Sequence, residues 1–422
     1  MHYQNERNYG CRVSDDWEFR GNKVAIIENE KIRVVVLVDK GADIYSFVHK
    51  SSDTDYMWRS VWGVRDTRKF LPTTGENSWG DIYEGGWQTC APTAGNKRKD
   101  YQGAPMGQHS EMSTMPWDSK IIEDNPEKCS IKFSVRTYRT PFFMEKTLTL
   151  TKNSPYLEID YKLTNESEDE SDCVWLEHIV FGDPFLSENC RLDLPDSRIH
   201  NWNDVTLEGL PDNRLIGGKK GRWPYTEGPN GKVDMREIPP RSSKLQDLAM
   251  FYEMSQGWYS LTNTQTKVGI GLLFPKDIFK YVWNWQVFGG GAGYPWYGRH
   301  YNLGLELCTS LPDGDPMPDS NQKNTFVKLK SKESLYSSLT NVVSSWSNNI
   351  KRDFSYAAER LRVLDIALMK FRKIKLSYTL RSGILGMILI FLALFSFWNH
   401  LDFLGINIRY LLDSIKASRL LK

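Results

Sequence analysis

A large antiparallel β-sandwich is the fold that this 422-residue sequence predicts, and two observations carry it. Apolar and polar residues alternate with a period of two in run after run, the mark of strands with one buried face. Almost no helical spacing occurs before residue 345, so there are no crossover helices to build a parallel sheet. A unit of this size is reasonable, since β-rich sandwiches can run to about 200–250 residues or more as one domain.

The predicted elements follow in order. Lys23 to Ile27 and Ile32 to Val38 read as paired strands around Asn29-Glu30. Ser130 to Val135 comes next, then Thr147 to Leu150. The turn Asn153-Ser154-Pro155 joins that run to Tyr156 through Leu163, where Leu157, Ile159, Tyr161 and Leu163 alternate with Glu158, Asp160 and Lys162. Further strands are predicted at Val174 to Phe181, Trp258 to Thr262, Val268 to Phe274, Tyr281 to Val287 and Thr325 to Leu329. Residues 183–243, rich in Pro, Gly, Asn and Asp, read as a long loop excursion. The sandwich therefore takes residues 1–345.

The remainder has a different pattern. In residues 346–381, Phe354, Ala357, Leu361, Leu364, Leu368 and Phe371 fall at spacings of three and four, a helical stripe flanked by Arg360, Arg362, Lys370, Arg372 and Lys373. Residues 382–401 carry no charge beyond a proton on His400, and twenty helical residues would span about 30 Å, a bilayer core. A membrane-associated helix is expected there, with packing in an oligomer as the alternative and self-association through this C-terminal helix its consequence. Residues 402–422 form a short basic amphipathic segment. The basic flank before residue 382 would hold the sandwich on the cytoplasmic side. The N-terminus, with no apolar run, predicts no secretory signal.

Charge divides at the same point. The chain carries a formal +2, yet the segment from Trp346 onward holds thirteen Lys and Arg against five Asp and Glu, which leaves the sandwich acidic. That excludes a basic nucleic-acid groove in the body. The 6 cysteines are scattered without the close pairs of a zinc or redox site, so free, buried thiols are expected. Aromatics make up 13% of the chain, with 15 Trp; many serve a core, and others suit a sugar groove.

Three segments carry the chemistry: Gly107-Gln108-His109-Ser110-Glu111, Trp175-Leu176-Glu177-His178 and Gly304-Leu305-Glu306-Leu307. Two imidazoles and a carboxylate equip a site for acid/base work. Glu306 lies in an apolar run, where an ionised side chain is costly to bury without a pocket or partner. His178 shares a strand face with Leu176 and Val180. Trp87, Trp283, Trp285 and Trp296 are candidate platforms for a sugar's C–H face, Gln88 and Glu111 are candidate polar contacts, and Arg299 with His300 could reach an anionic group if the ligand is a sugar phosphate or acid. Gly289-Gly290-Gly291-Ala292-Gly293 suggests a flap over the pocket. A metal held by His109, Glu111 and His178 is a weaker alternative, resting on a strand that would point His109 and Glu111 the same way.

From about Lys23 to Val343 the chain resembles the aldose 1-epimerase (galactose mutarotase) superfamily. The resemblance rests on Val38-Asp39-Lys40-Gly41-Ala42-Asp43-Ile44, Gly85-Gly86-Trp87-Gln88-Thr89-Cys90-Ala91-Pro92, the first histidine within Gly107 to Glu111, and Leu303-Gly304-Leu305-Glu306. It implies a mainly β galactose-mutarotase-like β-supersandwich of two large antiparallel sheets, here followed by an α-helical C-terminal tail. It also implies interconversion of the anomers or epimers of a monosaccharide or sugar derivative, phosphorylated, acidic or neutral, with no cofactor and no metal. By position, Glu306 would be the base, His178 the acid, and His109 an assisting hydrogen-bonding group, set on opposite sides of the sugar. Ser110 follows His109 where the family has glycine. Trp79, Asp81 and Gln88 stand where it has an asparagine–arginine segment. A carbohydrate-binding module without turnover is the alternative function.

Overall fold

The computed structural model describes residues 7–66, 69, 78–95, 100–202, 213–294, 296–316, 321 and 323–345. The expected segments 346–381, 382–401 and 402–422, with their membrane, self-association and localisation consequences, lie outside these residues. Among the described residues no helix is long and apolar enough to cross a membrane.

Two large sheets make up the body, one of 14 strands and one of 8. The smaller sheet shows why alternation was so readable. In the Tyr156–Asn165 strand, Leu157, Ile159, Tyr161, Leu163 and Asn165 are buried while Tyr156, Glu158 and Asp160 face out, because only one face of that sheet meets the core. Phe142–Thr151 turns at Asn153 and pairs with it antiparallel, Leu150 opposite Leu157. The first predicted hairpin also forms, with Val24 opposite Leu37. Asn29 closes it, its Oδ1 accepting from the Lys31 and Ile32 amides at 2.9 and 2.8 Å.

The larger sheet places Asp43–His49, Trp87–Cys90, Leu176–Gly182, Tyr301–Cys308, Tyr281–Phe288 and Leu245–Tyr252 side by side in that order. Every residue of Leu176–Gly182 and of Tyr301–Cys308 is buried, since one face of these strands packs on the second sheet and the other is roofed by loops. A strand buried on both faces loses its alternating pattern. That is why Leu245–Tyr252 escapes a sequence reading.

Residues 183–243 depart from the expected loop. They contain strands Cys190–Asp193, Arg198–Asn201, Lys220–Arg222, Tyr225–Gly228 and Gly231–Asp234, four of which extend the larger sheet beyond Leu245–Tyr252. Strands of three or four residues separated by turns carry too few positions to show a period. All six cysteines are buried, and none is in a disulfide.

The inter-sheet core holds one polar knot directly behind the site strand. Glu177, wholly buried, accepts from Trp87 Nε1 at 2.6 Å, Tyr161 Oη at 2.8 Å and Thr89 Oγ1 at 3.2 Å through Oε2. Its Oε1 accepts from Trp175 Nε1 at 2.7 Å. Four donors replace the water that the carboxylate gives up. They also lock the strand that carries His178 on its other face.

Candidate active site

Strand register assembles the site. Leu176 pairs with Cys308 and Val180 with Gly304, which sets His178 across from Glu306; Glu306 in turn pairs with Trp283, and Gln88 with His178. Gln88, His178, Glu306 and Trp283 therefore form one row across the face turned away from the second sheet. His178 Nε2 stands 3.5 Å from Glu306 Oε1. Both residues are buried, at 3% and 2% exposure, so the carboxylate lies inside the protein with an imidazole beside it.

Glu306 reaches that position by leaning back along its strand. A Cβ placed on Gly304 would lie 2.5 Å from Glu306 Oε1 and 3.1 Å from Trp285 Cβ. A side chain at residue 304 would displace the Glu306 carboxylate from this position. Burial drives the Glu306 pKa well above the usual carboxylate range and, reinforced by His109, the His178 pKa well below the usual imidazole range. Both shifts favour the neutral acid beside the neutral imidazole over the ion pair.

His109 comes from a loop, with a left-handed backbone at φ 50°. Its Nδ1 accepts the Gly95 amide at 3.2 Å, which places the proton of the neutral ring on Nε2 and makes that nitrogen a donor. Its ring lies 5.2 Å from that of His178 and 4.5 Å from Trp79. Burial lowers its pKa from 6.5 to about 3.

That shift sets a pH response. Between pH 6.5 and about 3 the unfolded chain carries a proton on this residue that the folded chain refuses, so stability falls as pH falls through that window. At about pH 5 the single group costs ~2 kcal/mol. His109→Gln is expected to lose correspondingly less stability than wild type between about pH 7.5 and 5 in urea unfolding. Equal losses would mean that His109 is not held neutral.

The surrounding groups divide into wall and support. Trp79 and Tyr83, four apart at the short Ser78–Ile82 helix, stack at 4.3 Å, and Tyr83 Oη is 3.3 Å from His178 Nδ1. Half-buried Trp285 stands 5.9 Å from the His178 ring, and half-buried Trp296 packs against Trp285 at 5.2 Å. Gln88 is a support: its Oε1 accepts from Trp79 Nε1 at 2.8 Å, and its Nε2 donates to Asp43 Oδ2 at 3.0 Å. Asp43 and Glu84 hold buried Lys40 at 2.6 and 3.0 Å. This charged cluster braces the pocket wall from behind.

Several sequence candidates lie elsewhere. Trp87 pairs with Ile179 on the inter-sheet face, where its Nε1 serves Glu177. Trp283 is on the site face, but it is buried among apolar side chains with its Nε1 donating to Ser310 O at 3.0 Å. Glu111 is a loop clamp. Its Oε1 accepts the Tyr138 and Arg139 amides at 2.8 and 3.0 Å and its Oε2 accepts Thr140 Oγ1 at 2.9 Å. The expectation that His109 and Glu111 point the same way required a strand, and this segment is a turn. Among the described residues no group of three His, Cys, Asp or Glu side chains could hold a metal. Arg299 is exposed beyond the glycine-rich segment. The sequence reading missed Tyr83 and Gly304 as site residues; the four-residue spacing of Trp79 and Tyr83 was the one available signal.

Comparison with known proteins agrees with this architecture. A family model described as a domain of unknown function (DUF4432) matches residues 19–223. No curated protein matches the chain. Among solved structures, a provisionally named aldose 1-epimerase from Klebsiella pneumoniae aligns with TM-score 0.59 at 15% identity, over 79% of this chain and 83% of that one. A galactose mutarotase related enzyme from Lactobacillus acidophilus aligns with TM-score 0.52 at 16% identity, over 77% and 98%. A galactose mutarotase-like protein from Clostridium acetobutylicum aligns with TM-score 0.53 at 11% identity, over 80% and 99%. Identities this low speak for the fold alone. The described body of this chain is therefore similar in fold to the aldose 1-epimerases and galactose mutarotases.

Proposed function

We propose that this protein is a cofactor-independent isomerase of the aldose 1-epimerase type, interconverting the anomers of an aldose by acid/base catalysis at the anomeric carbon. The observation that supports it most is the buried Glu306–His178 pair, 3.5 Å apart. Ring opening needs a base at the anomeric hydroxyl and an acid at the ring oxygen. Those two oxygens share one carbon, so neighbouring groups such as this pair can reach both.

The proton balance closes on the pair. In the reacting form the Glu306 proton has passed to His178, leaving a carboxylate beside an imidazolium. Glu306 takes the hydroxyl proton, the C1–O5 bond breaks as the carbonyl forms, and His178 gives its proton to O5. This leaves the neutral acid and neutral imidazole that burial favours. Rotation about C1–C2 and the reverse transfers close the ring on the other face and restore the starting form. His109 Nε2–H donates to an oxygen of the substrate, and Trp285 offers an indole face to its C–H groups.

Anomer exchange followed by NMR on a panel of aldoses tests the proposal. Wild type should accelerate exchange of at least one sugar above the spontaneous rate, and His178→Asn should return it close to that rate. A wild type that binds sugar yet leaves the exchange unchanged would make the protein a carbohydrate-binding module on this fold.

A further inference from the structure

The strand that carries Glu306 presents more polar chemistry than the reaction uses. Continuing along the same face from Glu306, Gly304 contributes no side chain, and then come Asn302 and His300. Asn302 is 0% and His300 1% exposed. Neither Asn302 Nδ2 and Oδ1 nor His300 Nδ1 and Nε2 has a hydrogen-bond partner among the described residues. Gln246, on the strand beyond Val287 at the same level, leaves its Nε2 in the same condition. Each such group costs about 1–3 kcal/mol when left unpaired. Five such atoms lie together along the sheet face that carries Glu306.

Distance connects them to the site. Residues two apart on a strand are about 7 Å apart, and the Glu306 carboxylate lies over Gly304, one such step from Asn302. That is the scale of a pyranose ring with its substituents. The wall above is aromatic. Trp58 covers Gly182, the strand neighbour of Asn302, and packs on His300 at 4.9 Å; Trp296, itself half exposed, packs on His300 at 4.7 Å.

We infer that Asn302 and His300, with Gln246, form the distal half of the sugar site and select a neutral, unphosphorylated aldose by hydrogen-bonding the hydroxyls remote from its anomeric carbon. This rests on the anomer-exchange reading above. Carboxamides and an imidazole both donate and accept, which matches hydroxyl groups. A phosphate needs cations, and those nearby are committed or outside. Lys40 is held by Asp43 and Glu84, Arg241 pairs with Asp183 at 2.6 Å, and Arg299 is exposed. Burial keeps His300 neutral, lowering its pKa to about 4.

The test compares glucose, galactose and mannose with their 6-phosphates and 4- and 6-deoxy forms, by titration NMR on the full chain, for wild type and Asn302→Leu. Wild type should bind a neutral aldose at least about tenfold more tightly than its 6-phosphate and its least favoured deoxy form, since tenfold corresponds to ~1.4 kcal/mol. Asn302→Leu should lose a similar factor for the neutral sugar while its thermal stability is unchanged or raised, because an unpaired buried amide is replaced by an apolar group. A 6-phosphate bound as tightly as its parent, or unaltered sugar affinity in a folded Asn302→Leu, would overturn the assignment. The deoxy sugars decide the matter on wild type if the variant does not fold. Anomer exchange by wild type with indifference to Asn302 would sink only this inference, whereas absence of exchange on every sugar would sink the catalytic reading itself.

Discussion

Glu306→Gln is expected to slow catalysed anomer exchange by about 10²–10⁴-fold, the usual contribution of a positioned acid or base, while changing sugar affinity only a few-fold. The amide keeps the shape over Gly304 but cannot take the hydroxyl proton. It also removes a carboxyl group whose ionisation is opposed by burial, so the variant should be no less stable than wild type above neutral pH. The sign follows from linkage: a carboxyl whose pKa is raised on folding contributes stability below its unfolded pKa that is lost as pH rises through the folded value. NMR exchange rates, titrations and urea unfolding on the same samples separate these effects. Exchange within a few-fold of wild type would remove Glu306 as the base.

Glu177→Ala should produce the largest loss of stability, ~3–5 kcal/mol, the range for removing one member of a buried charged network. The substitution strands the donors of Trp87, Trp175, Tyr161 and Thr89 in a wholly buried place, and it leaves Lys146, whose Nζ donates to Ala42 O at 2.6 Å, without that carboxylate's field. Urea unfolding is the measurement. Glu177→Gln, which retains an acceptor oxygen, should lose markedly less. An alanine variant as stable as wild type would show that the donors find other partners and that the knot does not hold the site strand.

The two faces of Leu176–Gly182 show what a sequence reveals and what it conceals. Alternation distinguishes His178 from Glu177 by face, yet it cannot say which face is core and which is pocket, because both are buried. Glu177 looks like an outward neighbour and proves to be the centre of the core knot. Trp87 fails as a sugar platform for the same reason, since its register partner Ile179 is on the inter-sheet side. Glu111 fails because its segment is a turn, where a parity argument has no basis.

The sequence by itself determined the mainly β fold class and the hairpins at Asn29 and Asn153, for which local alternation suffices, and its resemblance to the aldose 1-epimerases singled out Glu306, His178 and His109 as candidates. Only the tertiary structure decided that Glu306 and His178 are adjacent, that the Glu306 carboxylate lies over Gly304, that Gln88 supports the wall, and that Asn302 and His300 lie unpaired beside the pair. Register between strands far apart in the chain sets those relations, and a single strand's periodicity does not record its partners.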